Sequence, residues 1–449
     1  MRTSSDTAGG GPEQAAARRR AAAAEAVAAA HRAHWGRVLA ATLAVSRDLD
    51  LAEDCVQEAM VEALSAWAGS GIPANPGGWL TTTARRRALD AMRRAQTLRR
   101  KLPLLVWDPP PEPSAPPAGL ADEEHAVVLD EQLRLIFLAA HPALNPPSRI
   151  VLTLRLVGGL STAQIAAAFL VPEPTMAARL TRAKKRIQLS RIPCRVPNAE
   201  ELPARLSDVL DIVSILLLAG ERDGGEEVLA AGARILEILR ELVPGQTEVT
   251  GLLAQALLLQ ARSATRHDDA GRPVALAEQD RSRWDRELVA RADRLVLRAL
   301  AAGGRGPYLL QGAIAAAVAV PERHEDVDWD EVVALYDALL AHWPTAIVRL
   351  ARLVALAEAR GPGSALAGVD QLATDLAEHR PFHVIRAELL TRVGRHEEAA
   401  QALRTALACR GAEGEDALLR ERLGAAGVQP RTTGRLAAAS SRRTGDPHP

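Results

Sequence analysis

Alanine, leucine and arginine fill much of this 449-residue chain in long runs that are broken chiefly by glycine and proline. These residues favour helix, because alanine and unbranched side chains lose little conformational entropy in one. Aromatic residues make up only 3% of the chain. Strand-length runs rich in valine, isoleucine and threonine are nearly absent. The sequence therefore predicts an all-α protein of roughly two to four domains.

The formal net charge is zero, but the charges are unevenly distributed. Between residues 75 and 102 eight basic residues accompany a single acid, and residues 174–199 contain seven basic residues and no acid. A short acidic segment precedes each of these stretches. One basic helix alone would be read as a solvated helix face. Two of them, each ending a helical module, favour contact with nucleic acid.

Proline and glycine mark the boundaries between the predicted domains. Seven prolines fall between residues 103 and 117, which favours an extended, semi-rigid linker. We predict a disordered lead-in at 1–24, helical modules at 25–102 and 122–192, a proline-rich linker at 103–121, a helical extension at 193–330, a repeat region at 331–425 and a disordered tail at 426–449.

Residues 331–425 carry a repeat with a period of 33 or 34 residues. This period is typical of tetratricopeptide repeats, in which paired antiparallel helices stack on their neighbours. For residues 200–330 a plain helical bundle is the simpler alternative. The residues that repeat are Leu339, Ala373 and Leu407, then Ala365 and Ala399, then Gly361 and Gly394.

The stretch GGLSTAQIAAAFLVPEPTMAARLTRAKKRI, residues 158–187, predicts two short helices joined by a turn. Ser161 and Gln164 fit a capping box at the start of the first helix. Proline is tolerated in a first turn, so the second helix should begin near Glu173. The apolar face of this second helix consists of Met176, Leu180, Ala183 and Ile187. A helix-turn-helix of this kind can read DNA, or it can be two packed helices.

The segments that flank the helix-turn-helix favour the DNA-binding interpretation over that of two packed helices. AEDCVQEAMVEALSAW followed by NPGGWLTTTARRRALDAMRR resembles region 2 of the sigma-70 family of RNA polymerase initiation factors. PPSRIVLTLRLVGGLS together with the helix-turn-helix resembles region 4 of that family. Two matches in this order, joined by a short linker, resemble the extracytoplasmic-function (ECF) class. The segments EQDRSRWDRELV and GPYLLQGAIAAAVA resemble the subgroup with a C-terminal tetratricopeptide-like extension.

The resemblance implies three sets of functional residues. An acidic face that docks on the clamp helices of core RNA polymerase would consist of Asp54, Gln57, Glu58 and Glu62. Residues that engage the −10 promoter element would be Asn75, Trp79, Arg85, Arg86, Arg93 and Arg94. Residues that enter the major groove at the −35 element would be Thr175, Ala178, Arg179, Thr181, Arg182 and Lys185.

The sequence thus predicts a sigma factor whose partners are core RNA polymerase (clamp helices and flap), promoter DNA and a protein bound by the tetratricopeptide-like region. One alternative is a helix-turn-helix regulator that acts without polymerase, and another is a repeat scaffold with vestigial N-terminal modules. No P-loop, GxGxxG or GxSxG motif occurs. We therefore expect no enzyme activity, cofactor, metal or membrane association. The three widely spaced cysteines fit the cytoplasm.

Overall fold

The computed structural model describes residues 12–101, 131–169, 171–190, 192, 194–222, 225–269, 271–409 and 413–427. Over these ranges the regular structure is helical, and extended backbone pairs only in an isolated bridge between His267 and Pro273. The prediction of an all-α fold is confirmed. No helix within the described ranges is long and apolar enough to cross a membrane.

Three long helices form the first module: α1 (Pro12–Ser46), α2 (Leu49–Ser70) and α3 (Pro76–Lys101). They pack around a core that includes Leu39, Val56 and Leu80, each of which is fully buried. Helix α1 begins within the residues predicted to be a disordered lead-in, and this corrects that boundary. The physical reason is the composition after Pro12, where alanine and arginine favour helix and proline is tolerated in the first turn.

The second module is built from shorter helices: α4 (residues 131–139), α5 (Pro146–Leu152), α6 (Thr162–Ala168) and α7 (Glu173–Leu189). A single π-helical turn, Thr153–Val157, follows α5 directly. The predicted capping box is present, since Gln164 N donates to Ser161 Oγ and Ser161 N donates to Gln164 Oε1. The predicted linker at 103–121 lies outside the described residues.

Five further helices complete the N-terminal compact unit: α8 (Leu202–Arg222), α9 (Glu226–Leu242), α10 (Thr247–Ala261), α11 (Arg286–Ala301) and α12 (Pro307–Ala319). This unit comprises the described residues up to 264 together with 280–322. Helix α8 contacts the second module, because Arg205 Nη2 donates to the carbonyl of Phe137 over 2.6 Å. Arg149 also pairs with Asp208 at 3.2 Å. The second module and the extension therefore pack as one body.

The C-terminal compact unit contains α13 (Trp329–His342), α14 (Ala346–Arg360), α15 (Gly363–Gln371), α16 (Arg380–Arg392), α17 (His396–Ala408) and α18 (Glu413–Gly427). Its core includes Ala365 and Ala399, both fully buried. Gly361 and Gly394 each adopt positive φ (86° and 79°) just after a helix, where a Cβ would be strained. Ala365 and Ala399 are thus alike in burial, and Gly361 and Gly394 are alike in backbone conformation.

Candidate nucleic-acid and partner interfaces

Helix α2 presents its polar residues on one face and buries the other. Asp48 caps its first turn, with Oδ1 accepting hydrogen bonds from the N–H groups of Asp50 and Leu51. Asp54, Gln57 and Glu58 are exposed, and Glu62 is half-buried. The structure therefore brings the four predicted polymerase-binding residues onto one surface, which we call the α2 face.

Two features of the α2 face were missed at the sequence level. Val61 lies among the polar residues, and 66% of its surface is exposed. Arg87 reaches across from α3, with Nη1 2.5 Å from Glu58 Oε2 and Nη2 2.7 Å from Glu62 Oε2. These hydrogen bonds, first of all the one to Glu62, raise the pKa of Arg87. Two of the three carboxylates are therefore already paired, whereas Asp54 forms no ion pair with any residue that the structure describes.

The α2 face and Arg87 line an open depression with a volume of about 680 Å³. Its wall combines carboxylates, an amide and an apolar side chain. Such a mixed surface with an apolar centre resembles the anatomy of protein–protein interfaces. The lining residues are Asp54, Gln57, Glu58, Val61, Glu62, Ser65 and Arg87.

The predicted −10 residues are spread along the first five turns of α3 and in its N-terminal loop. Asn75 caps the helix, since its Oδ1 accepts a hydrogen bond from Gly78 N at 2.9 Å. Trp79 is half-buried and packs edge-on against Trp67, with ring centroids 5.7 Å apart. Both residues therefore have structural partners, and any DNA contact by them would come in addition.

The four predicted −10 arginines of α3 differ in their surroundings. Arg86, Arg93 and Arg94 are exposed. Arg93 pairs with Asp90 one turn away at 3.4 Å, and a pair as exposed as this one contributes little stability. Arg85 is half-buried, and its guanidinium lies 3.9 Å from the buried carboxylate of Glu131 on α4. Arg86, Arg93 and Arg94 are consequently the better candidates for phosphate contact.

Helix α7 buries the predicted apolar stripe and exposes the predicted reading residues. Met176, Leu180, Ala183 and Ile187 are all buried, as the sequence predicts. Arg182 Nε donates to the carbonyl of Ala178 over 3.1 Å, so this arginine is partly bound to its own helix. The predicted −35 residues are all exposed: Thr175, Ala178, Arg179, Thr181, Arg182 and Lys185.

A buried ion-pair cluster, also missed from the sequence, joins the two modules. Glu53 of α2 is buried, and its Oε1 accepts a hydrogen bond from Arg155 Nε at 2.8 Å. Lys184 of α7 forms ion pairs with Glu53 and with Asp50, the latter at 2.8 Å. Burial acts to lower the pKa of Lys184, but the hydrogen bonds to Asp50 and Glu53 outweigh it and the pKa is raised. Glu53, Arg155 and Lys184 are called the Glu53 cluster below.

Trp35 of α1 adds to this junction. Its Nε1 donates to the carbonyl of Arg155 over 3.1 Å, and the Arg155 guanidinium lies 5.3 Å from the centre of its ring. A cation over an indole face is attracted by the ring quadrupole. Among the described residues, no group of three or more histidine, cysteine, aspartate or glutamate side chains is arranged to hold a metal ion.

Comparisons with known proteins agree with this arrangement. Residues 31–97 match the family Sigma-70 region 2, and residues 134–187 match Sigma-70, region 4. Residues 205–300 match a family of unknown function, DUF6596. No solved structure matches the chain.

Two curated relatives match over most of their own length. An uncharacterized protein of Rhizobium meliloti is 37% identical over 405 residues, which cover 88% of this chain and 95% of the relative. The probable ECF RNA polymerase sigma factor SigI of Mycobacterium tuberculosis is 30% identical over 218 residues, which cover 46% of this chain and 73% of the relative. The chain belongs to the sigma-70 family, among the ECF RNA polymerase sigma factors.

Proposed function

We propose that the protein directs core RNA polymerase to specific promoters: the α2 face docks on the polymerase clamp helices, α3 engages the −10 element and α7 reads the −35 element. The observation that carries this proposal is the separation of faces on these three helices. In each of them one face is buried in a module core, while the opposite face keeps most of the predicted partner-binding residues exposed; Glu62, Trp79 and Arg85 are half-buried. The names of the matched families and of SigI support the same function.

The α2 face suits a basic partner surface with an apolar contact at its centre. Val61 would supply the desolvated contact, and Asp54 would supply charge complementarity and faster association. Arg87 holds Glu58 and Glu62 in fixed positions through its two-pronged contact. We infer that Arg87 acts as a positioning residue for this face.

Asp54→Lys should weaken binding to core polymerase by about 2 kcal/mol or more, roughly thirtyfold. The fold should survive, because Asp54 is exposed and makes no ion pair among the described residues. Binding is measured by titrating labelled protein with core polymerase. Glu241→Lys, at an exposed position on α9, introduces the same change of charge and is the matched control. If Asp54→Lys binds as tightly as this control, the α2 face is not the docking surface, and a regulator that acts without polymerase becomes the better reading.

Arg179→Ala should relax discrimination at one base position of the −35 element by about 1–3 kcal/mol, because arginine reads guanine O6 and N7 through two hydrogen bonds. Arg179 is exposed and has no ion pair within the described residues, whereas Arg182 is bound to its own helix. The measurement is competition binding of the polymerase holoenzyme to promoters that differ at single positions.

Lys185→Ala is the comparison variant for this prediction. A lysine that contacts a phosphate carries no sequence information, so its loss should weaken all promoters alike and reduce the salt dependence. If Arg179→Ala also weakens every promoter by the same factor, α7 binds the backbone only and does not read the sequence.

For the C-terminal region we propose a regulatory or partner-binding role on a tetratricopeptide-like scaffold at residues 331–425. The burial of Ala365 and Ala399 and the positive φ of Gly361 and Gly394 support the repeat. Stacked helix pairs present a concave surface that fits a peptide or another domain.

A further inference from the structure

A second cavity lies where three parts of the N-terminal unit meet, away from the α2 face and from the reading residues of α7. Helix α1 forms one wall, the turn between the π-helical segment and α6 forms another, and α9 of the extension forms the third. The cavity has a volume of about 410 Å³, within the usual range for small-molecule sites. The polar residues on its wall are His31, Arg32, Gln164, Glu227 and Arg234.

Close backbone packing defines the shape of this cavity. Gly159 has φ of +73°, and a Cβ there would lie 3.0 Å from the ring of Trp35 on α1. A Cβ at Gly158 would lie 3.1 Å from the Cβ of Ala231 on α9. The turn is therefore held between two helices at distances that only glycine allows. A ligand would meet walls that are already in place.

Positive charge predominates in the cavity. Arg32 and Arg234 form no ion pair with any residue that the structure describes. Arg234 Nη2 donates a hydrogen bond to the carbonyl of Gly158 over 3.2 Å. Burial lowers the pKa of Arg234, and the nearby Arg32 lowers it further. Burial also lowers the pKa of His31, as do the charges of Arg155, Arg234 and Arg32. The half-buried side chain of Arg234 and the exposed side chain of Arg32 thus line the same cavity.

The remaining polar groups define what could bind between the two arginines. Gln164 uses its Oε1 in the capping box, which leaves its amide N–H groups to donate. Glu227 is the carboxylate on the wall, and its charge acts on Arg234 to favour the protonated guanidinium. Arg155 is already paired with Glu53. The net charge of Arg32, Arg234 and Glu227 is positive, and donors outnumber acceptors.

We propose that this cavity binds a small anion that carries a phosphate group, held between Arg32 and Arg234 with Gln164 as an additional donor. Arginine suits this ligand because its planar fork gives two parallel hydrogen bonds to phosphate oxygens. The negative charge of Glu227 on the same wall repels the anion, and it therefore sets a moderate affinity. The site itself does not depend on the proposed function in transcription.

Binding has a consequence for the arrangement of the modules. The ligand would contact α1 of the first module, the turn of the second module and α9 of the extension together. A ligand that binds only when these three parts are assembled stabilises the assembled state by mass action. Anion binding would thus regulate how firmly the −10 and −35 modules are held together, and this consequence does rest on the proposed function.

The test is calorimetric titration of the full-length protein with inorganic pyrophosphate and, separately, inorganic phosphate, at constant ionic strength. Arg234→Gln and Arg32→Gln should each weaken pyrophosphate binding by about tenfold or more, since each removes charge-assisted hydrogen bonds. Glu227→Gln should tighten binding, because it removes a carboxylate charge that repels the anion. Glu227→Gln keeps the proposal testable even if Arg234→Gln disturbs folding, because a gain in affinity requires a folded site.

Arg240→Gln is the matched control, since Arg240 lies on the same helix but pairs with Glu237 outside the cavity. Unchanged binding in this control, loss in Arg234→Gln and gain in Glu227→Gln support the proposal. Equal binding by all variants, or none by the wild type at millimolar pyrophosphate, overturns it. A third arm uses duplex promoter DNA. If Arg234→Gln weakens DNA binding while pyrophosphate does not bind, the cavity receives a backbone phosphate and the small-anion proposal is wrong.

Discussion

Arg155→Met is expected to lower the free energy of unfolding by about 3 kcal/mol, because it leaves a buried carboxylate without its principal partner. The side chain of Glu53 is only 4% exposed, and that of Arg155 is 15% exposed. Lys184 remains beside Glu53 in the variant. This remaining ion pair places the expected cost at the lower end of the range for breaking buried pairs. The measurement is urea unfolding followed by circular dichroism.

Two comparison variants isolate the cause of this loss. Arg195→Met removes an arginine from an exposed pair with Glu201, whose side chains are 52% and 42% exposed, and should leave the free energy of unfolding nearly unchanged. Adding Glu53→Leu to Arg155→Met removes the buried carboxylate that has lost its principal partner, and should recover most of the lost stability. A cost for Arg155→Met no larger than that for Arg195→Met would mean that the Glu53 cluster contributes no net stability.

Local sequence signals were sufficient for much of the second module. The capping box of Ser161 and Gln164 depends on residues three positions apart, and it is present as predicted. The start of α7 at Glu173 also follows from local chemistry, because the prolines beside it fit a first turn. The buried stripe of α7 follows from helical spacing alone. Signals of this kind need no knowledge of the tertiary fold.

The ion pairs of the Glu53 cluster could not be predicted from the sequence. Glu53 lies more than a hundred positions from both Arg155 and Lys184, so no local pattern pairs them. A usable signal did exist. Glu53 falls in phase with the buried positions Leu49, Val56 and Met60, and Arg155 stands between Leu154 and Leu156 in an apolar run. A charged residue at a core position predicts a buried partner of opposite charge. The sequence supports that inference without identifying the partner.

The equivalent positions of the repeat in the C-terminal unit could be predicted only in part, because the helix boundaries differ between its copies. Ala365 and Ala399 share a buried environment, but Ala373 is exposed while Leu339 is buried. A 34-residue spacing identifies equivalent positions only where both copies keep the same helix boundaries. Helix α15 ends at Gln371, so Ala373 lies beyond it, whereas Leu339 lies within α13.

Removing everything after Pro197 is expected to reduce run-off transcription from the target promoter by roughly tenfold or more, because the second module loses packing partners from the extension. Arg205 no longer reaches the carbonyl of Phe137, and Asp208 no longer pairs with Arg149. The turn at Gly158 also loses its contact with α9. The placement of α7 relative to α3 should become less defined, which favours an assisting role for the extension over an inhibitory one.

A second truncation, ending at Glu322, separates the two compact units. It retains the whole N-terminal unit, together with residues 265–279 from the C-terminal unit. If the N-terminal unit alone positions the promoter-binding helices, this protein should transcribe at a level close to that of the full-length chain with purified core polymerase. Loss of transcription in both truncations would assign the assisting role to the C-terminal unit as well. Full transcription by the chain that ends at Pro197 would contradict any such role, because neither the extension nor the repeat region would then contribute to initiation.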